Sequence, residues 1–254
     1  FPTRRSSDLM ILSVVGIALM VTMSLSHRAS AQDLDVPYVP TPTEVVDKML
    51  DMADVGPGDY VIDLGSGDGR IVINAAQRGA YGHGVDLDME RINEARENAQ
   101  KANISDKVMF LNENIFETDF SRANVITMYL LSSVNRKLRP MLLDKLDPGT
   151  KLVSHDFDMG EWEADKHVRV GNDDVYYWVI PADVGGEWQW QTNGEKFSMT
   201  VEQEYQKIQP EISAGGVSLN INEKVLVGDR ISFTVVNPDT GDYYVYNGEV
   251  DGNM

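Results

Sequence analysis

The 254 residues contain no cysteine. That excludes disulfides, thiolate nucleophiles, cysteine zinc sites and iron–sulfur ligation. Histidine is scarce. His27, His83, His155 and His167 stand at no metal-ligand spacing, so each is read as a polar surface or loop residue and no metal site is expected. Positive charge is short as well, with 22 Lys and Arg against 40 Asp and Glu and a net charge of −18. So acidic a surface repels phosphate backbones, and no nucleic acid partner is expected. No G-x-x-x-x-G-K-[ST] phosphate loop is present.

Long apolar runs are few. Met10 to Ser26 carries no charge and is followed by Ala29-Ser30-Ala31. An apolar core before a small-x-small site predicts a signal peptide over residues 10–31, cleaved after Ala31. Residues 10–26 also approach the length of a membrane span, about 17 to 25 residues. The expected location is therefore periplasmic or exported, with an inner-membrane anchor as the alternative. The preceding "FPTRRSSDL" matches the translation of a common sequencing-adapter oligonucleotide, and residues 1–9 are set aside as foreign. The final "YNGEVDGNM" stops after a hairpin signal as if a strand were missing, so a fragment end is expected there.

What is present divides in two. In "TPTEVVDKMLDM", Thr41 reads as a helix cap, Pro42 as the first helical residue and Glu44 as the capping-box acid. From Asp59 short apolar runs alternate with helix-compatible segments: "YVIDLG", "GHGVDLD", "VMFLNENIF", "ANVITMYLL" and "GTKLVSHDF" are strands. Between them "GRIVINAAQRG", "MERINEARENAQKAN" and "VNRKLRPMLLDKL" are helical, Pro140 kinking or delimiting the last. This order predicts an α/β domain with a mostly parallel sheet over residues 32–181. After Pro181, "EWQWQ", "KFSMTVEQEY", "GVSLNI", "RISFTVV" and "DYYVYNGEV" alternate with period two. Residues 182–254 are expected to form a small antiparallel β unit, with Trp188 and Trp190 as core packing.

Gly65-Ser66-Gly67-Asp68-Gly69 follows a strand and opens a helix, which turns backbone amides and a helix N-terminus towards a ligand. The spacing is G-x-G-x-G, not the dinucleotide G-x-G-x-x-G. Asp63 before the loop and Asp68 within it would repel a pyrophosphate but suit a ligand carrying an amino group and a sulfonium. Asp86 ends the second strand, where a carboxylate accepts both hydroxyls of an unphosphorylated ribose. The loop therefore suits S-adenosylmethionine better than NAD.

"DLGSGDGRIVI" resembles motif I of class I S-adenosylmethionine-dependent methyltransferases, whose domain is Rossmann-like. With Pro37-Tyr38-Val39-Pro40 ahead of it, the sequence is similar to the lysine methyltransferases that modify the ATP synthase c subunit and the adenine nucleotide translocase, as a bacterial relative. The likeness covers roughly residues 36–162 and leaves out the β unit. It implies that Asp63, Gly65 and Gly67 line the methionine part of the cofactor and that Asp86 holds the ribose, with Ser66 and Gly69 also in the cofactor-binding loop. Asn114 falls where an Asp normally contacts the adenine amino group; its carbonyl oxygen can accept the same bond. Tyr129 and Leu130 fall near the transferred methyl, and Tyr38 lies in the segment that closes over the site. The N/D-P-P-Y tetrapeptide of amide and nucleic-acid enzymes is absent.

Tyr38, Tyr129 and Asp156 are the candidate catalytic residues, able to accept or relay an acceptor proton. In "SHDFDMGEW", His155, Asp156 and Asp158 line an acceptor pocket or simply belong to the loop after a strand, the latter being favoured. The expected acceptor is a protein lysine, for instance of a membrane protein. The alternatives are a small-molecule acceptor or an exported, non-catalytic binding protein of the same fold. An export signal ahead of a loop for a cytosolic cofactor is a conflict with three competing resolutions: an anchored enzyme facing the cytosol, an exported enzyme that meets its cofactor in the periplasm, or the exported non-catalytic binding protein.

Overall fold

A computed structural model describes residues 38–192 and 194–250. The expectations for residues 1–9 and 10–31, and for the last four residues, lie outside that range. No helix of the described residues is long and apolar enough to cross a membrane.

Seven strands form the principal sheet: β1 (Tyr60–Leu64), β2 (Tyr81–Asp86), β3 (Val108–Asn112), β4 (Val125–Met128), β5 (Lys151–His155), β6 (Lys166–Val170) and β7 (Asp173–Val179). Their order is β3-β2-β1-β4-β5-β7-β6. The first five run parallel, and the hairpin of β6 and β7 adds antiparallel to β5. Helices α1 (Thr43–Met52), α2 (Arg70–Gln77), α3 (Met89–Lys101) and α4 (Ser132–Lys145) cover it. Alternate residues of each strand bury into opposite layers, as a sheet covered on both faces requires. Val61, Val125 and Val153 pack with Val45, Val46, Met49 and Leu50 of α1. Ile62, Ile126, Met128 and Leu152 pack with Leu138 and Leu142 of α4 and with Trp162 and Trp178. The fold is the α/β, Rossmann-like one with a mostly parallel sheet.

The strand order reverses between β1 and β4, the place where an open α/β sheet leaves a crevice above its carboxyl ends. The glycine loop leaves β1 at that crevice. Beyond Val184, β8 (Gly186–Thr192), β9 (Glu195–Glu204), β10 (Lys207–Ala214) and β11 (Val217–Ser218) form one antiparallel sheet. A second holds β12 (Asn220–Val227), β13 (Arg230–Val236) and β14 (Tyr243–Glu249). Phe197, Met199, Ile208 and Ile212 meet Leu226, Phe233 and Val235 between them. Trp188 and Trp190 pack against this core, Trp190 stacking on Phe197 at 5.3 Å, so the tryptophans of "EWQWQ" are packing residues. Trp162 joins the two parts: its ring stacks on Tyr205 at 5.7 Å and its Nε1 donates to Gln206 Oε1 at 2.8 Å.

Several local expectations change. The hairpin β6–β7 and strand β10 were not anticipated. Pro210 is tolerated in β10 because β11 covers only Ser213 and Ala214, leaving the proline on an otherwise uncovered edge. Pro140 neither ends nor delimits α4, which continues to Lys145. Thr41 does not cap α1, whose N-cap is Pro42 without a side-chain bond. Its hydroxyl instead meets His155 Nδ1 at 3.1 Å. His83 and His155 are buried, against the surface reading, and His83 Nδ1 lies 3.0 Å from the Tyr60 hydroxyl.

Candidate active site

Asp63 sits on β1 directly opposite Thr127 of β4, whose hydroxyl donates to Asp63 Oδ1 at 2.7 Å. The chain then turns through Gly65, Gly67 and Gly69, with φ of 79°, 50° and 79°. Such angles penalise any residue with a Cβ. The amides of Gly65 and Ser66 both donate to Val85 O at 2.9 Å, locking the loop to β2. Asp86 Oδ2 accepts from Gly67 N at 2.9 Å and its Oδ1 from Asp88 N at 2.8 Å. The carboxylate thus shapes the loop and keeps further lone pairs facing the crevice.

Asp63, Gly65, Ser66, Gly67 and Asp86 line one cavity of about 980 Å³, open mouth included, with Tyr38 to Thr41, Asn114, Ile115, Phe116, Tyr129 and Leu130. Tyr38 lies across the loop: a Cβ on Gly67 would come within 2.5 Å of its ring. The Arg91 guanidinium stands 4.9 Å from the same ring. Arg70 Nη1 donates to Thr41 O at 2.8 Å and so anchors the covering segment to the start of α2. Asn114 Oδ1 accepts from Phe116 N at 3.0 Å and turns the chain after β3.

Two expected cofactor residues read differently in the fold. Gly69 does not face the cavity; its missing Cβ makes room for Phe110 and Ala95, each within 2.9 Å of where it would stand. Asp68 is not a free negative charge. Arg70 Nη2 and Nε reach it at 2.6 and 2.9 Å. Burial alone would raise the Asp68 carboxyl, but Arg70 holds it below the ordinary range. Asp63 is the opposite case. Burial, which its bond from Thr127 only partly offsets, and the charges of Asp86 and Asp68 push its pKa up to about 7. A carboxyl 3% exposed on a cavity wall gains most from a cation placed beside it.

Tyr129 follows β4 and lines the cavity beside Leu130. Its ring lies on His155 with centroids 3.8 Å apart, and its hydroxyl donates to Asp156 Oδ2 at 3.4 Å. Tyr38, by contrast, lies on the cofactor loop, so the three candidate catalytic residues do not form one cluster. Burial and then the Asp156 charge raise the Tyr129 phenol above its ordinary value, which keeps it neutral at pH 7. Asp158 points into the turn instead, accepting from Gly160 N at 3.2 Å. Arg70, Thr127 and Arg91 were not singled out in the sequence. Only the i, i+2 spacing of Asp68 and Arg70 at a helix start carried a signal.

Three observations test whether S-adenosylmethionine fits. Ser66 Oγ is buried and has no hydrogen-bond partner. A Cβ on Gly65 would lie 2.9 Å from Leu130 Cδ2, so the loop leaves no room for side chains. Asp63 offers a buried carboxyl to a cationic amino group. The donor set fits.

Residues 63–166 match the model of the ANTKMT methyltransferase domain. A protein-lysine N-methyltransferase of Saccharolobus islandicus is 44% identical over 57% of this chain and 94% of its own length. The chain belongs to this methyltransferase family. The adenine nucleotide translocase lysine N-methyltransferase of Mus musculus is 31% identical over 58% of this chain and 64% of its own length. The solved structure of an RNA methyltransferase from Salinibacter ruber, in complex with S-adenosyl-L-homocysteine, is 53% identical with a TM-score of 0.57. It covers 57% of this chain and 96% of that one. The methyltransferase described above uses S-adenosylmethionine as its cofactor.

Proposed function

We propose that the enzyme methylates the side-chain amine of a protein lysine. The observation that carries the cofactor half is the buried Asp63 carboxyl facing the glycine-loop cavity. Two of the relatives above are lysine methyltransferases, which supports the acceptor half. In this reading Asp63 takes the cofactor's amino group, and Gly65, Ser66 and Gly67 contact its methionine part. Asp86 takes the ribose hydroxyls, and Asn114 takes the adenine amino group between Ile115 and Phe116. Tyr38 closes the mouth.

The cofactor supplies an electrophilic methyl group; the chain aligns the acceptor with it. Alignment alone can lower such a barrier by about 7–11 kcal/mol. A lysine must also lose its proton, which at pH 7 costs about 4.6 kcal/mol from an ordinary pKa. Tyr129 stays a neutral phenol, so it orients the amine through its hydroxyl and does not act as a phenolate base. The proton lost by the amine passes to solvent on this side, where Asp156, 29% exposed, accepts from that hydroxyl and holds its orientation.

The Salinibacter ruber likeness favours an RNA acceptor as a second reading. The net charge of −18, with Asp86 and Asp88 on the cavity wall, opposes it. Incubating the enzyme and radiolabelled cofactor with a membrane extract distinguishes the readings. Label on a protein band, traced to lysine by hydrolysis, is the expected result. Label that is lost to ribonuclease and survives protease would overturn the lysine acceptor.

A further inference from the structure

We propose that His155, Asp156 and Asp173 bind a divalent transition-metal cation. His155 ends β5, Asp156 follows it, and Asp173 starts the antiparallel neighbour β7, so strand pairing brings the three together. His155 Nε2 lies 3.5 Å from Asp156 Oδ2 and 3.5 Å from Asp173 Oδ1. One ligand atom from each residue lies within 4.8 Å of the other two. A cation bound tetrahedrally at about 2.1 Å from imidazole and carboxylate ligands holds them about 3.4 Å apart. The observed spacing suits a shared ion better than direct bonds.

The second observation is independent of the acids. The His155 side chain is 1% exposed, yet its Nε2 has no hydrogen-bond partner. Leaving such a nitrogen unpaired costs about 1–3 kcal/mol. Its other nitrogen is fixed by Thr41 Oγ1 at 3.1 Å, which aims Nε2 between the two carboxylates. This is how a metal-binding imidazole is oriented by a partner behind it. Asp156 is likewise set: its φ is 59°, and its Oδ1 accepts from Asp174 N at 2.8 Å. Among the described residues no Lys or Arg pairs with Asp156 or Asp173. The neighbouring Asp174 is already engaged by Arg169 and His167. Asp156 and Asp173 are 29% and 30% exposed, which gives an entry path and room for a water ligand.

One imidazole and two carboxylates select zinc, cobalt or manganese ahead of magnesium or calcium, which prefer all-oxygen ligands. The site lies behind Tyr129 and is tied through Thr41 to the segment covering the glycine loop. It is separate from the cofactor cavity, whose lining includes none of the three ligands.

The test uses the full chain, stripped with a chelator and titrated with Co²⁺ while its visible absorption is followed. Zn²⁺ is then added in competition. One equivalent should bind, with ligand-field bands that Zn²⁺ displaces. Asp173→Asn should weaken binding about tenfold or more, and His155→Gln should abolish it. Because His155 is buried, its variant can fail to fold; Asp173→Asn is half-exposed and is checked by near-ultraviolet circular dichroism. No saturable binding to the wild type would overturn the site, as would unchanged affinity in folded Asp173→Asn. Neither cofactor nor acceptor is present, so this outcome is separate from that of the labelling experiment.

Discussion

Asp63→Asn tests the electrostatic account of the cofactor site. The carboxyl titrates at about 7 instead of 3.8, a difference worth about 4 kcal/mol in favour of the neutral form. The sign follows from linkage. A raised carboxyl contributes stability that is present below its unfolded pKa and is lost as pH rises through its folded one. Without cofactor, the wild type should therefore lose stability from about pH 4 to beyond pH 7. Asparagine keeps an oxygen for the Thr127 hydroxyl but cannot ionise. The variant should be more stable than the wild type near pH 8 and lack that part of the pH dependence. Cofactor binding should show the converse. Pairing Asp63 with a cationic amino group requires the ionised carboxylate, so wild-type affinity should tighten about tenfold per pH unit below pH 7. It should turn over near pH 8, where an α-amino group loses its proton. Losing a charge-assisted bond of about 1.5–3 kcal/mol should weaken the variant about 10- to 150-fold. Titration calorimetry in buffers of different ionisation enthalpy should also show proton release from the wild type near pH 6 and none from the variant. Wild-type affinity that stays flat below pH 7, or a variant binding within twofold, would refute the argument.

Three further outcomes follow from the geometry. Asp86→Ala removes the acceptor of the Gly67 and Asp88 amides and, in the proposed reading, of the ribose hydroxyls, so calorimetry should show cofactor affinity falling about 10- to 100-fold. Circular dichroism should show the fold retained. Gly67→Ala places a Cβ within 2.5 Å of the Tyr38 ring at a φ of 50°. Denaturant melts should show a loss of about 1–2 kcal/mol. Trp162→Ala empties a fully buried site and removes the Gln206 bond. A loss of about 3–5 kcal/mol is expected in the same melts; a loss under about 1 kcal/mol would mean the two parts do not depend on that contact.

What could be read from the sequence is what local geometry encodes. The strand–loop–helix of Asp63 to Gly69, and Asp86 at the end of the next strand, depend on turn chemistry and on short-range periodicity. The alternation of strands and helices likewise announced the parallel sheet, and period-two patterning announced the β unit. Side-chain partners from distant segments could not be read. Thr41 has every local attribute of a cap, but His155, 114 positions away, takes its hydroxyl. Gly69 looks like a third cofactor glycine, but Phe110 and Ala95 occupy the space its side chain would need.

Charge divides in the same way. Sequence supplies the acids; only the fold decides which keep their charge. Asp68 stays ionised in its ion pair with Arg70, whereas Asp63 is buried without a cation and raised to about 7. Burial and pairing are properties of the packed chain, since desolvation depends on everything that surrounds a group. His155, Asp156 and Asp173 show it most clearly. Their spacing in the sequence indicates nothing, and it is the antiparallel pairing of β5 with β7 that sets three ligand atoms around one point.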